Sequence, residues 1–241
     1  MILSIAIQKG GTAKTTSAAA LAQAAAYKGK KALVIDLDPQ GNLSFNLAAD
    51  LTRKGSYDLL TGTPAAELIQ HTAQNIDVIP ASWNLSTITS GKGSARRLQT
   101  AVEPLRRKYS LIVIDTPPTA GELQYNALQA ADRLIIPLSA DIYNLQSLYQ
   151  ITDAATQIRA TNPRLKIAGY ILTQYNGRSI IARQMADAIR EAADRLGVPY
   201  LGAIRQAVAV KEAAALRQSL FEYAPKSKPA ADYLDIYDNL K

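Results

Sequence analysis

Short runs of apolar residues recur along the chain, and the stretches between them carry apolar residues at helical spacing. The runs fall at residues 2–7 ("ILSIAI"), 31–38 ("KALVIDLD"), 76–81 ("IDVIPA"), 110–118 ("SLIVIDTPP"), 133–139, 166–175 and 200–204. Runs that do not alternate with polar residues predict strands buried on both faces. Residues 15–28 form an alanine-rich helical stretch stopped by Gly29, and further helices are predicted over 120–130, 143–158 and 180–196. Strands alternating with helices predict an α/β fold: a mostly parallel twisted sheet with helices on both faces. No repeat, low-complexity tract or linker interrupts the pattern, so one domain is expected over residues 1–241. The last stretch, "ADYLDIYDNLK", puts Tyr233, Leu234, Ile236, Tyr237 and Leu240 on one helical face and Asp232, Asp235 and Asp238 on the other. It is expected to dock on the core, because an acidic face is repelled by anionic lipid.

Composition narrows the chemistry. The 241 residues contain no cysteine and one histidine, His71. Disulfides, thiolate metal sites, cysteine nucleophiles and histidine triads are therefore excluded. His71 is expected as an ordinary surface residue on a helix or loop. No run approaches the ~20 apolar residues of a membrane-spanning helix, and the N-terminus lacks the basic region of a signal peptide. A cytoplasmic location fits. The net charge of +7 makes an anionic partner plausible without requiring one.

One segment carries the chemistry. "QKGGTAKTT" closes the first predicted strand and opens the first helix. Ligands of parallel α/β sheets bind at the carboxyl ends of the strands. Gly10 and Gly11 let backbone N–H groups of the loop through Thr12 and Ala13 turn toward phosphate oxygens, and the helix N-terminus adds its dipole. Lys14 is placed to reach the β/γ-phosphates, and the Thr15 hydroxyl to ligate Mg²⁺. Two other predicted strands end in carboxylates: Asp36 and Asp38 on one, Asp115 on the other.

The register K-G-G-x-x-K-T-T, spanning Lys9 to Thr16, resembles the deviant Walker A motif of the ParA/MinD family of P-loop ATPases. That resemblance implies ATP and Mg²⁺ as cofactors and a nucleotide-sandwich homodimer in which Lys9 reaches the partner subunit's phosphates. The family usually has glycine where this chain has Ala13. "VIDLDPQGNLS" resembles the family's second motif, in which Asp38 orients the attacking water and Asp36 lies near the metal. "LIVIDTPP" resembles its Walker B segment, with Asp115 holding Mg²⁺ through water. "ILTQYNGR" and "AIRQAVAVKEA" are similar to its base-contacting strand end and loop, which suggests Gln174, Arg205 and Gln206 around adenine.

Among the branches of that family, those needing cysteine ligands are excluded, and the acidic C-terminal helix disfavours membrane cycling. "LFEYAPKSKPAADYL" resembles the tail of the ParA/Soj-type DNA-partition ATPases. This implies nonspecific double-stranded DNA binding, through Lys226 and Lys228 and, as further candidates, Arg183, Arg190, Arg205, Lys211 and Arg217. It also implies weak, Mg²⁺-dependent hydrolysis stimulated by a ParB-like centromere-binding partner, and nucleoid association in the ATP state. No helix-turn-helix domain is expected ahead of the first strand. The alternatives are a relative that positions a protein cargo and a MinD-like membrane-cycling regulator. A second basic run, from Lys92 to Lys108, extends a DNA surface or is a solvated helix face.

Overall fold

The computed structural model describes residues 1–89, 94–141 and 143–240. Its strands are β1 (Ile2–Ile5), β2 (Ala32–Asp36), β3 (Gln70–His71), β4 (Asp77–Ile79), β5 (Leu111–Asp115), β6 (Arg133–Ser139), β7 (Lys166–Tyr175) and β8 (Tyr200–Arg205). Its α-helices are α1 (Lys14–Tyr27), α2 (Asn42–Asn46), α3 (Ser56–Thr61), α4 (Ala65–Leu68), α5 (Arg97–Val102), α6 (Glu122–Ala130), α7 (Tyr143–Arg159), α8 (Ile180–Arg195), α9 (Val208–Ala215), α10 (Leu220–Tyr223) and α11 (Lys228–Asn239). The sheet has eight strands in the order β3-β4-β2-β5-β1-β6-β7-β8. Every pairing is parallel except β3 with β4. The α/β fold class is as expected.

The apolar runs behave as buried strands for a simple reason. Residues of β1, β2 and β5 are buried on both faces of the sheet, because helices cover both. One core lies under α3–α8; the other lies under α1, α2 and α9–α11. In α1 the alanines from Ala18 to Ala25 are buried, and their small side chains bring the helix axis close to the central strands. Gly29 ends this helix in the left-handed conformation (φ 71°), with Lys30 N–H bonded to Ala25 O.

The C-terminal helix docks as its pattern predicts. Tyr233, Ile236 and Leu240 are buried, and the Tyr233 hydroxyl meets Ser17 Oγ at 3.1 Å inside the core. Its acidic face is not simply solvated: Asp232 binds Arg205 and Asp238 binds Lys28 at 2.8 Å.

Several local expectations need correction. The segment between β2 and β4 contains α2, α3, α4 and β3, none of which has a strong periodic signal. His71 lies on the short edge strand β3, exposed and 2.5 Å from Asp77, rather than on a helix or loop. The predicted strands overrun the observed ones by two or three residues at their carboxyl ends in β1, β2 and β5; those extra residues are the site loops. Of the second basic run, Lys92 lies outside the described residues. Its Arg106 is a structural staple, bonded to Asp132 at 2.7 Å and Glu103 at 2.9 Å, not part of an open cationic face.

Candidate phosphate-binding site

β1 lies between β5 and β6, and the chain crosses to opposite sides of it on leaving α1 and α6. Such a switch point leaves a crevice at the strand ends. The loop after β1 fills its floor. Gly11 is left-handed (φ 74°), and a Cβ added at Gly10 or Gly11 would meet no atom within 4 Å, so the loop borders open space. Ala13 is the N-cap of α1 at φ 59°, ψ 33°, with no side-chain cap. The first N–H groups of α1, from Lys14 through Thr16, thus start a helix with no internal acceptor, which is an anion site by construction. The Thr12 hydroxyl is fully buried and makes no hydrogen bond.

Lys14 is buried, and its Nζ donates to Lys9 O at 2.5 Å. Burial lowers its pKa, against the pull of Asp115 and Asp38. An ammonium ion folded onto its own loop, with two carboxylates nearby, gains from an anion delivered to it.

The carboxylates come from two neighbouring strands. Asp36 and Asp115 are register partners across β2 and β5, both with 0% exposure. Asp36 Oδ2 accepts from Ser44 N–H (2.9 Å) and Ser44 Oγ (2.7 Å), and Oδ1 accepts from Asp38 N–H (3.1 Å). Burial nevertheless pushes Asp36 up to about 6, because these hydrogen bonds offset only part of the desolvation. Asp115 is raised well above the carboxylate range, by burial and then by the Asp36 charge, against the Thr15 hydroxyl and Lys14. Its Oδ1 accepts from Thr116 N–H at 3.1 Å, while Oδ2 is buried without a hydrogen-bond partner. Two adjacent buried carboxylates and one orphaned oxygen fit a hard divalent cation. No cluster of three His, Cys, Asp or Glu converges among the described residues, so such a cation would complete its shell with phosphate and water. Asp38 is at the rim; its Oδ1 accepts from Gln40 N–H at 3.0 Å, an Asx turn that fixes the side chain.

Lys9 points elsewhere. Its Nζ pairs with Asp141 Oδ2 at 2.8 Å and lies 5.5 Å from the Tyr143 ring centroid, at the start of α7. Gln174, at the end of β7 with φ 53°, donates from Nε2 to Gly11 O at 3.0 Å. Beside it, Thr173 Oγ1 donates to Thr12 O at 3.0 Å. The end of β7 therefore straps the phosphate loop. The expected base contacts at Arg205 and Gln206 are narrowed: Arg205 N–H donates to Asp232 Oδ2 (2.9 Å) and Gln206 N–H to Tyr175 O (3.1 Å). Of these two backbone units, only the carbonyls remain to meet a ligand. The Arg205 guanidinium likewise pairs with Asp232, which offsets its charge on that surface.

The remaining basic candidates do not share one face. Arg183 and Arg190 are on α8, over the same core as α5–α7. Lys211, Arg217, Lys226 and Lys228 belong to α9–α11, across the sheet. Arg183 donates to Gly177 O at 3.0 Å, Arg190 stacks 5.1 Å from the Tyr200 ring, and Arg217 stacks 4.0 Å from Phe45. Lys211, Lys226 and Lys228 are exposed.

Pattern analysis missed Ser44, Thr173 and Asp141, the groups that hold Asp36, the loop and Lys9. Ser44 lies in α2, Thr173 near the carboxyl end of β7 and Asp141 in the loop after β6, and only its three-dimensional neighbour gives each a role. Comparison with known proteins places this geometry. A family model described as "AAA domain" matches residues 1–167. The chain is 36% identical to the chromosome partitioning protein ParA of Caulobacter vibrioides, over 98% of this chain and 91% of the relative. It is 34% identical to the chromosome-partitioning ATPase Soj of Thermus thermophilus, over 96% and 91%. Among solved structures, cobyrinic acid a,c-diamide synthase of Mycobacterium smegmatis, with a bound ATP analogue and magnesium, superposes with a TM-score of 0.85 at 28% identity, over 98% of this chain and 92% of that one.

Proposed function

The chain belongs to the ParA/Soj-type family of P-loop ATPases, and from that premise we propose that it is a Mg²⁺-dependent partition ATPase that binds nonspecific DNA as an ATP-closed dimer. One observation carries the catalytic part: Lys14, Thr15, Asp36, Asp38 and Asp115 converge on the glycine loop, with Asp115 Oδ2 and the Thr12 hydroxyl buried and unpartnered. These residues fit ATP and Mg²⁺. The loop N–H groups and Lys14 would hold the phosphates, and Thr15, Asp36 and Asp115 would hold the metal, which would supply charge neutralisation at the transferring phosphoryl group. Asp38, fixed by its Asx turn, would orient the attacking water. Gln174 and the carbonyls of Arg205 and Gln206 border the base.

Exposed apolar residues support closure by a second copy. Trp83, Tyr143, Ile180 and Val208 follow the carboxyl ends of β4, β6, β7 and β8, the same sheet edge that carries the phosphate loop. Lys9, released from Asp141, would cross to the partner's phosphates. The net charge of +7 and the exposed Lys211, Arg217, Lys226 and Lys228 support contact with DNA phosphates, with Arg183 and Arg190 as a separate patch. A ParB-like protein would stimulate hydrolysis and release the dimer. No described helix is long and apolar enough to cross a membrane. The partition relatives match this chain at 36% and 34% identity against 28% for the amide-forming synthase, which favours partition over that chemistry.

The test is binding to a random-sequence duplex with ATP, with ADP and without nucleotide, across a salt series. ATP-dependent binding that weakens with salt, and is lost in Lys14→Ala and in Lys226→Ala/Lys228→Ala, is the expected result. Hydrolysis without DNA binding in any state overturns it.

A further inference from the structure

Gln74 lies in the turn between β3 and β4, buried, and every hydrogen-bonding group of its carboxamide type is in use. Oε1 accepts from Gln23 Nε2 at 2.9 Å; Nε2 donates to Asn46 O at 3.0 Å and to Arg217 O at 2.9 Å. Gln23, on α1, in turn accepts from Leu220 N–H at 3.2 Å. Two buried amides therefore tie together α1, the end of α2 and the loop that joins α9 to α10. That loop is conformationally demanding, since Arg217 is left-handed (φ 54°).

Asn46 is the last residue of α2, a helix of five residues. A helix this short moves as a unit. Its interior is fastened to the candidate metal site, because both Ser44 N–H and Ser44 Oγ donate to Asp36 Oδ2. Its far end is fastened to the Arg217 loop twice: through Gln74 to Asn46 O, and through the Phe45 ring, 4.0 Å from the Arg217 guanidinium. A group that competed for the Asp36 carboxylate would loosen Ser44, and the Gln74 and Phe45 contacts would carry a displacement of α2 to Arg217.

We propose that Gln74 is a positioning residue that couples the state of Asp36 to the conformation of the Arg217 loop, and so to the cationic surface on α9–α11. The coupling to DNA rests on the DNA-binding function proposed above; the coupling between Asp36 and the loop does not. Gln74 touches no reacting atom. It clamps α2 and the loop into one body, and a buried amide is suited to this because releasing either carbonyl leaves it without a partner.

The experiment compares backbone hydrogen–deuterium exchange over residues 208–223 in the full-length protein with Mg²⁺–ADP and with a non-hydrolysable Mg²⁺–ATP analogue. The variants are Gln74→Met, Gln23→Met/Gln74→Met, which replaces the amide pair by an apolar pair, and Phe45→Leu. In wild type the segment exchanges at different rates in the two nucleotides. In Gln74→Met and the double variant the difference vanishes, while that at residues 9–16 and the nucleotide affinity are retained. Phe45→Leu reduces the difference without abolishing it. In parallel, the ratio of DNA affinities with the ATP analogue and with ADP falls about fivefold or more in Gln74→Met, the lower range of ordinary allosteric couplings. A merely structural Gln74 would instead lower the melting temperature and raise exchange equally in both nucleotides. Equal exchange over 208–223 in wild type, or a full difference in both Met variants, overturns the coupling. If exchange responds as expected but wild-type protein ignores DNA in both nucleotides, the coupling stands and the DNA-binding function falls.

Discussion

Ala13 adopts φ 59° at the N-cap of α1, a position where a methyl group crowds the following carbonyl. The left-handed conformation costs alanine ~1–2 kcal/mol, and replacing it by glycine returns ~0.4–1 kcal/mol of unfolded-chain entropy. Ala13→Gly is therefore expected to stabilise the nucleotide-free protein by ~0.5–1 kcal/mol in urea denaturation. Lys9 gives a second test at this scale. Its pair with Asp141 is partly exposed, with side chains 22% and 41% accessible, so it contributes at most ~1 kcal/mol. Asp141→Asn should leave the urea midpoint nearly unchanged. If Lys9 acts in trans, it should also raise the ATP-dependent dimer population up to ~5-fold, as read by sedimentation velocity.

At the scale of elements, α11 is the piece whose loss would matter most to the second core. Tyr233 is 1% exposed and fills the space between α1 and β8, with its hydroxyl on Ser17. Burial pushes that phenol up to about 12, despite the Ser17 hydrogen bond, so it stays neutral at any physiological pH. Tyr233→Phe should cost ~1 kcal/mol, the net value of one buried hydrogen bond. Tyr233→Ala should cost ~3–5 kcal/mol through the cavity it leaves. Chemical denaturation followed by circular dichroism measures both. The elements between β2 and β4 behave differently: α2, α3 and α4 are four to six residues long and draw their stability from what they touch.

At the scale of the whole molecule, the buried carboxylates contribute a pH response of their own. The folded pKa of Asp36, about 6, exceeds its ordinary value of 3.8, so the folded state binds the extra proton between those values. Stability of the nucleotide-free protein should therefore fall as pH rises from about 4 to about 6, by on the order of 3 kcal/mol from this group. Mg²⁺ with a bound nucleotide should reverse the loss, because a cation favours the ionised pair. Asp50, Glu103, Asp132 and Asp141 are held low by their partners and act in the opposite sense, so thermal melts of wild type and Asp36→Asn at pH 4.5 and 7.5, with and without Mg²⁺–ADP, isolate this group; a wild-type melting temperature that does not fall with pH relative to that of Asp36→Asn contradicts it. DNA binding gives the companion test. Lys226→Ala/Lys228→Ala should lower the slope of log K against log salt by about 2, since each phosphate contact contributes ~0.9.

The sequence by itself determined the strands of the sheet other than the two-residue β3, the principal helices, the phosphate loop and the three strand-end aspartates. The reason is that these features are local: a strand buried on both faces is continuously apolar, and the glycines, Lys14 and Thr15 of the loop lie within a few residues of one another in the chain. It also determined the docking of α11, whose apolar stripe at Tyr233, Ile236 and Leu240 has helical spacing. Only the tertiary structure decided that Asp36 and Asp115 are register partners, that Lys9 is held by Asp141, and that Arg205 belongs to Asp232. It also separated the basic candidates onto two faces of the sheet and gave Gln74 its three partners. Those facts join residues far apart in the chain, and long-range pairing of polar groups leaves no periodicity for a sequence to display. A buried amide or carboxylate has the same local neighbours whichever distant donor it meets, and the packing of the two cores selects that donor.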